Sequence, residues 1–190
     1  MTKSFPIANS NRHIHLSQAD IETLFGAGYQ LTHMKDLSQP GQFACTETLD
    51  IKGPKGVVAK VRVLGPARKQ SQVEVLVADT FKLGVPAVIR DSGKLEGTPG
   101  CTLVGPCGEV ELTEGVIVAA RHIHMHTSDA EKFGLKDGDI VNVEVPGDRG
   151  VIFKNVLVRA SDSYALEMHI DTEEGNGAGV KNGMIVSIVE

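Results

Sequence analysis

The chain has 190 residues, 41% of them hydrophobic and 23% charged, which excludes a disordered chain and allows one large domain or two small ones. A formal net charge of −5 gives no electrostatic case for nucleic acid or an anionic membrane, and no apolar run is long enough to span a bilayer. Aromatics are 4% with no Trp, so a Val-, Ile-, Leu- and Ala-built core is expected, and 21 Gly and 8 Pro set between short apolar runs favour many short strands.

Residues 3–9 read as an extended segment that lacks the apolar run of a secretory signal. Ser17 to Gly28 reads as a short helix, with Ser17 as N-cap, Ile21, Leu24 and Phe25 as apolar face, and Gly26 and Gly28 as stops. Leu31 to Ala44 reads as a loop and then a strand, with a turn at Pro40-Gly41. Glu47–Lys52 and Val57–Leu64 form a hairpin around Gly53-Pro54-Lys55-Gly56. A basic loop, Gly65 to Lys69, precedes a strand over Val73–Val77. Asp79–Val85 reads as a helical turn and Pro86–Arg90 as a strand. Cys101–Val104 and Glu109–Leu112 form another hairpin, and Gly115–Ala119 a buried strand. The odd set of Cys45, Cys101 and Cys107 matches no disulfide or zinc-finger spacing and fits reduced thiols in a cytoplasm. Cys101 and Cys107 flank a turn and could face each other, although their plain reading is small core hydrophobes.

A second half follows the same plan. Ser128–Phe133 reads as a short helix capped by Ser128, Ile140–Val145 and Val151–Val158 as strands, and Arg159-Ala160-Ser161 as a loop. Tyr164–Ile170 alternates and carries His169, Thr172–Gly179 reads as a Gly-rich loop, and Met184–Val189 as the last strand.

Two copies of one tetrapeptide tie the halves together: Arg12-His13-Ile14-His15 and Arg121-His122-Ile123-His124. On an extended backbone both histidines of a copy face one way and the isoleucine faces the core. One His-x-His has a plain reading as two partly exposed polar side chains. Its repetition points to two ligand pairs for a borderline metal such as zinc. In each half a turn glycine is followed by a Val-rich strand, an Arg-bearing loop (Arg68, Arg159) and a strand carrying a third candidate ligand, Glu74 or His169. The candidate sets are His13, His15 and Glu74, and His122, His124 and His169. Three ligands per ion is the pattern of an open, catalytic site. The bland alternatives are a solvent-facing Glu74 and a core His169. Arg68 offers a donor fork for phosphate or carboxylate, or is an exposed turn arginine. His33 and His126 have no repeat partner and receive no role. The expected fold is mainly β: two related small β-barrels, one over 12–119 and one over 120–190, capped by short helices.

The chain resembles the phosphate propanoyltransferases, or phosphotransacylases, of propanediol-utilising bacterial microcompartments. The resemblance rests on Arg12 to Ser17, Leu37 to Ala44, Val63 to Arg68, Arg121 to His124 and Glu167 to Thr172. It implies transfer of a short acyl group from a coenzyme A thioester, propanoyl-CoA or acetyl-CoA, to inorganic phosphate, and the reverse. It also implies a two-zinc site between intertwined barrels, with residues 1–11 completing the second. Carried over by position, one zinc falls on His13, His15 and Glu74 and the other on His122, His124 and His169. The phosphate-binding arginine falls on Arg68, and coenzyme A contacts on Ser10, Lys35, Arg62, Leu64 and Asn176. Members of the family often form homodimers. Microcompartment members carry an amphipathic packaging extension, whereas only eleven residues precede Arg12 here. The expectation is therefore a cytoplasmic member, or a microcompartment one whose packaging segment has been removed. The competing readings are a two-metal hydrolase of thioesters or acyl phosphates, and a metal-stabilised binding module with closed coordination.

Overall fold

Both Arg-His-Ile-His segments run into short central strands with a partner on either side. In this computed structural model, which describes residues 3–190, the strands of the first part are β1 (Ser4–Ser10), β2 (His13–Ser17), β3 (His33–Asp36), β4 (Phe43–Lys52), β5 (Val57–Arg68), β6 (Gln72–Glu74), β7 (Ile89–Arg90), β8 (Cys101–Val104), β9 (Glu109–Leu112) and β10 (Val116–Ala119). Those that follow are β11 (His122–Met125), β12 (Ile140–Val145), β13 (Val151–Ala160), β14 (Glu167–Asp171) and β15 (Met184–Val189). The helices α1 (Gln18–Phe25), α2 (Val77–Leu83), α3 (Thr127–Phe133) and α4 (Thr172–Ala178) are all short. The protein is mainly β, as a Val-rich, aromatic-poor sequence broken by Gly and Pro favours.

The chain divides into two compact units, Arg12–Ala119, and Ala120–Glu190 together with the chain up to Asn11. Each has its own apolar core, one around Ile14, Leu49, Val63 and Leu103, the other around Ile7, Ile123, Val158 and Met168. In the second unit six strands close a barrel in the order β1-β14-β11-β13-β12-β15. β1, from the opposite end of the sequence, supplies the closing strand by pairing with both β14 and β15. In the first unit the order β10-β6-β2-β5-β4-β8 repeats this sequence of neighbours with the same parallel and antiparallel relations. There β10 and β8 do not pair with each other; they pair outward with β7 and β9, and β3 adds to β4, so the sheet stays open. The duplication reaches the backbone. Lys60 (φ 55°) and Asn155 (φ 59°) are the only non-glycine residues at positive φ among those described. Each stands two residues before the one registered with the first histidine of its half, Arg62 with His13 and Leu157 with His122. Register shifts lie nearby in both halves, as expected where a left-handed residue bulges a strand.

Several local expectations differ from the structure. The strand expected over Val73–Val77 ends at Glu74, and Val77 already starts α2, whose third residue Asp79 accepts from the Leu76 N–H (3.0 Å) and caps the first turn. Arg68 and Arg159 lie within strands, not loops. The cap of α3 is His126, whose ring accepts from the Ser128 N–H, so the histidine given no role starts a helix. Cys101 is buried and registered with Leu112, while Cys107 is exposed in the turn, and all three cysteines are free. Burial pushes the Cys45 thiol up to about 11 and the Cys101 thiol up to about 12, so neither is a thiolate at neutral pH. The Gly-rich segment Thr172–Ala178 is helical. Asp171 caps it from outside, Glu173 and Glu174 fill its first turn, and Gly179 ends it at φ 68°. A Cβ on Gly175 would collide with the Asn9 side chain, so this glycine serves close packing against β1. Residues 1 and 2, part of the expected N-terminal strand, lie outside the described residues.

Candidate functional site

Alternation along β2 and β11 sends Ile14 and Ile123 into their cores, both fully buried, and turns the flanking histidines to the other face. The antiparallel neighbour of each strand brings the third residue. His13 is registered with Glu74 on β6, and His122 with His169 on β14. In each of the two sets, His13-His15-Glu74 and His122-His124-His169, one donor atom from every residue lies within 4.8 Å of the others. Glu74 Oε2 is 3.4 Å from His13 Nε2. The first two rings meet edge-on in both sets, at 4.9 Å for His13 and His15 and 4.7 Å for His122 and His124. His169 stacks on His122 at 5.3 Å. Nδ1 of His122 lies 2.8 Å from the Ala120 carbonyl, an acceptor only, which assigns Nδ1 the proton and gives Nε2 the lone pair that a metal would need.

The donor sets fit a zinc ion. Two imidazoles with a carboxylate, and three imidazoles, are both ligand sets of zinc sites that keep a position open. Burial, with His13 and Arg68 adding to it, holds the His15 pKa well below its ordinary 6.5, so the ring is neutral and keeps a lone pair. His15 is 2% exposed and its Nδ1 has no hydrogen-bond partner. A buried polar atom left bare costs free energy, and metal coordination is one way to satisfy it.

Around the first set the polar groups interlock. Gln72, 1% exposed and registered with His15, donates from Nε2 to Glu74 Oε1 (2.6 Å) and to Ser92 Oγ (2.8 Å). Its Oε1 accepts the Gly93 N–H (2.8 Å). Arg68 Nη1 donates to the same Ser92 Oγ (3.2 Å). In the second set Glu167 takes the place of Gln72, registered with His124, and its Oε2 lies 3.1 Å from His169 Nε2. Tyr164 packs its ring 4.4 Å from His124, and its hydroxyl accepts from Arg159 (3.3 Å). Arg159 is registered with His124 as Leu64 is with His15, whereas Arg68 lies further on, beside Ser17. The two arginines that look equivalent in the sequence therefore occupy different places: Leu64 is the counterpart of Arg159, and Arg68 stands four residues beyond it on β5.

The arginine of each tetrapeptide ion-pairs with the third residue of the helix that follows Glu74 or His169. Arg12 Nε donates to Asp79 Oδ2 at 2.6 Å, and Arg121 Nη2 pairs with Glu174 Oε1 at 2.5 Å. Each pair ties the strand with two histidines to the helix that follows Glu74 or His169. Burial raises the Glu174 pKa, against the opposing pull of Arg121.

The five residues carried over as coenzyme A contacts lie in both units. Lys35 is exposed on β3, Leu64 is half-buried on β5, and Arg62 donates from Nη1 to the Cys45 and Thr46 carbonyls (3.0 and 2.8 Å). Ser10 ends β1, and Asn176 is exposed on α4 rather than in a loop. Sequence reasoning missed Gln72, Ser92, Tyr164, Glu167, Asp79 and Glu174. A signal existed for Gln72 and Glu167, which lie two residues before Glu74 and His169 and so share their strand face. Ser92 carries no local signal, since only the fold returns its turn to β6.

The sequence model of the family described as phosphate propanoyltransferase matches residues 6–181. The chain is 57% identical to the phosphate propanoyltransferase of Thermotoga maritima over 182 residues, 95% of this chain and 87% of that one. It is 55% identical to that of Rhodopseudomonas palustris over 94% of this chain and 79% of that one. With that of Clostridioides difficile the identity is 49%, over 95% and 87%.

Proposed function

The chain belongs to the phosphate propanoyltransferase family, and from this premise we propose that it exchanges a short acyl group, propanoyl or acetyl, between coenzyme A and inorganic phosphate with two zinc ions as cofactors. Membership makes it a phosphate acyltransferase. The observation that carries the finer reading is the pair of three-donor clusters built on the same strand register, with Arg68 joined to the first through Ser92 and Gln72. His13, His15 and Glu74 would hold one zinc, and His122, His124 and His169 the other. Zinc held there would supply Lewis-acid stabilisation of negative charge and an affinity for sulfur. Arg68 binds phosphate through its planar fork and lowers the repulsion a phosphate oxygen meets as it approaches the thioester carbon. That oxygen forms the new C–O bond, the C–S bond breaks, and coenzyme A departs as thiolate and takes a proton. Ser10, Lys35, Arg62, Leu64 and Asn176 contact coenzyme A. No acyl-enzyme is required, because the substrate phosphate is the nucleophile.

The test is thiol release from propanoyl-CoA, with and without phosphate, before and after chelation. Phosphate-dependent release lost on chelation is expected. Release without phosphate would identify a hydrolase, and no release from metal-loaded protein a binding module. Arg68→Ala raises the KM for phosphate or abolishes turnover; unchanged phosphate kinetics would remove Arg68 from this role.

A further inference from the structure

We propose that Gln72 is a positioning residue that holds the ligand Glu74 and the phosphate-binding Arg68 in one fixed arrangement, a role that rests on the function proposed above. Gln72 is buried to 1% exposure, where an amide is stable only with its hydrogen bonds made. The Gly93 N–H on Oε1 fixes the orientation of the amide, because a backbone N–H can be met only by the oxygen. Nε2 is thereby forced toward Glu74 and Ser92. It occupies Oε1 of Glu74 and leaves Oε2 as the oxygen facing His13, 3.4 Å from Nε2. The same nitrogen holds Ser92 Oγ, which Arg68 also reaches. One side chain thus sets which carboxylate oxygen meets the metal and where the phosphate-binding guanidinium rests. Groups of this kind, one bond behind the ligands, tune metal affinity and geometry.

The other half explains why position 72 is a glutamine. Its third ligand is His169, and the residue two before it is Glu167, whose carboxylate lies 3.1 Å from the imidazole. A carboxylate ligand needs a donor beside it. Gln72 and Glu167 stand at the same place, two residues before the third candidate ligand and registered with the second histidine of their half, and only the one beside a carboxylate is an amide. A glutamate at 72 would set two carboxylates side by side in a buried place.

The experiment compares Gln72→Glu, Gln72→Leu and Ser92→Ala with the parent protein, after circular dichroism has confirmed folding. Zinc affinity is measured by chelator competition, and KM is measured separately for phosphate and propanoyl-CoA. Gln72→Glu and Gln72→Leu are expected to weaken one of the two zinc sites by about 10–100-fold and leave the other unchanged. Ser92→Ala keeps both zinc affinities and raises the phosphate KM by roughly ten-fold, with the propanoyl-CoA KM and kcat little changed. With both zinc sites saturated, adding Gln72→Leu to Ser92→Ala raises the phosphate KM no further, because both cut the one chain of contacts that reaches Arg68. Parent-like zinc affinity in folded Gln72→Glu, or an additive double variant, would overturn the proposal. If Gln72 variants do not fold, the Ser92→Ala split between the two KM values decides, and a parent-like phosphate KM rejects the role. Should Arg68→Ala leave phosphate kinetics untouched, the phosphate reading fails by itself while the zinc measurements still judge Gln72.

Discussion

The two histidine clusters share a strand plan and differ in where each keeps its carboxylate. The first has it in the cluster, at Glu74, with neutral Gln72 alongside. The second has it alongside, at Glu167, with the imidazole of His169 in the cluster. Each centre therefore holds one acidic group on its third strand, moved by one side-chain step along the same face. A duplicated strand scaffold fixes where ligands can stand, and the chemistry of single residues then differentiates the copies. The surrounding sheets differ more. β1 closes one into a barrel, while β7 and β9 extend the other and leave it open. The clusters share a geometry because the residues of each stand on two adjacent antiparallel strands, β2 and β6 or β11 and β14, away from the ends of the sheet.

The sharpest way to break the symmetry is to delete one histidine from each half. His15→Ala and His124→Ala should each remove a single zinc per chain and lower activity by at least ~10²-fold. Metal analysis beside turnover checks this, and full activity in either variant would sink the metal assignment. Next come the arginine clasps. Asp79 has the less exposed side chain (8% against 21% for Glu174) and also caps Leu76, so Asp79→Asn should cost about 2–3 kcal/mol in urea unfolding. Glu174→Gln should cost about 1 kcal/mol, because Arg121 keeps the Lys154 carbonyl and the Phe153 ring. Equal losses would mean that the clasps do not differ in kind. A smaller effect is expected from Glu167→Gln, roughly a ten-fold weaker second zinc site with the first unaffected.

The mildest test is pH. Folding holds the His15 pKa well below 6.5. As pH falls through 6.5, the unfolded chain takes up a proton there that the native state does not, so the metal-stripped protein loses stability. Urea midpoints between pH 8 and pH 5 should decline on the acid side, and His15→Gln should flatten part of that decline. A parent profile with no slope over this range would count against a neutral buried His15.

Much of this was legible in the chain. The repeated Arg-His-Ile-His, the alternation that buries Ile14 and Ile123, and the spacing of Glu74 and His169 are local or repetitive features that residue order alone displays. Gly-rich Thr172–Gly179 misled, because its helix depends on a cap at Asp171 and on the packing of Gly175 against Asn9 across the sequence. Arg68 and Arg159 misled likewise, because register is a property of paired strands, and the pairing makes Leu64, not Arg68, the counterpart of Arg159.

The sequence by itself determined a mainly β protein of two related halves, each with its pair of histidines on one strand face, because side-chain alternation and repetition need no partner to be read. Only the tertiary structure decided which residues complete the site. Gln72 meets Ser92, Arg12 meets Asp79, and β1 closes a barrel with β14 and β15, all through contacts between segments far apart in the chain, where pairing register and burial rather than local preference choose the partner.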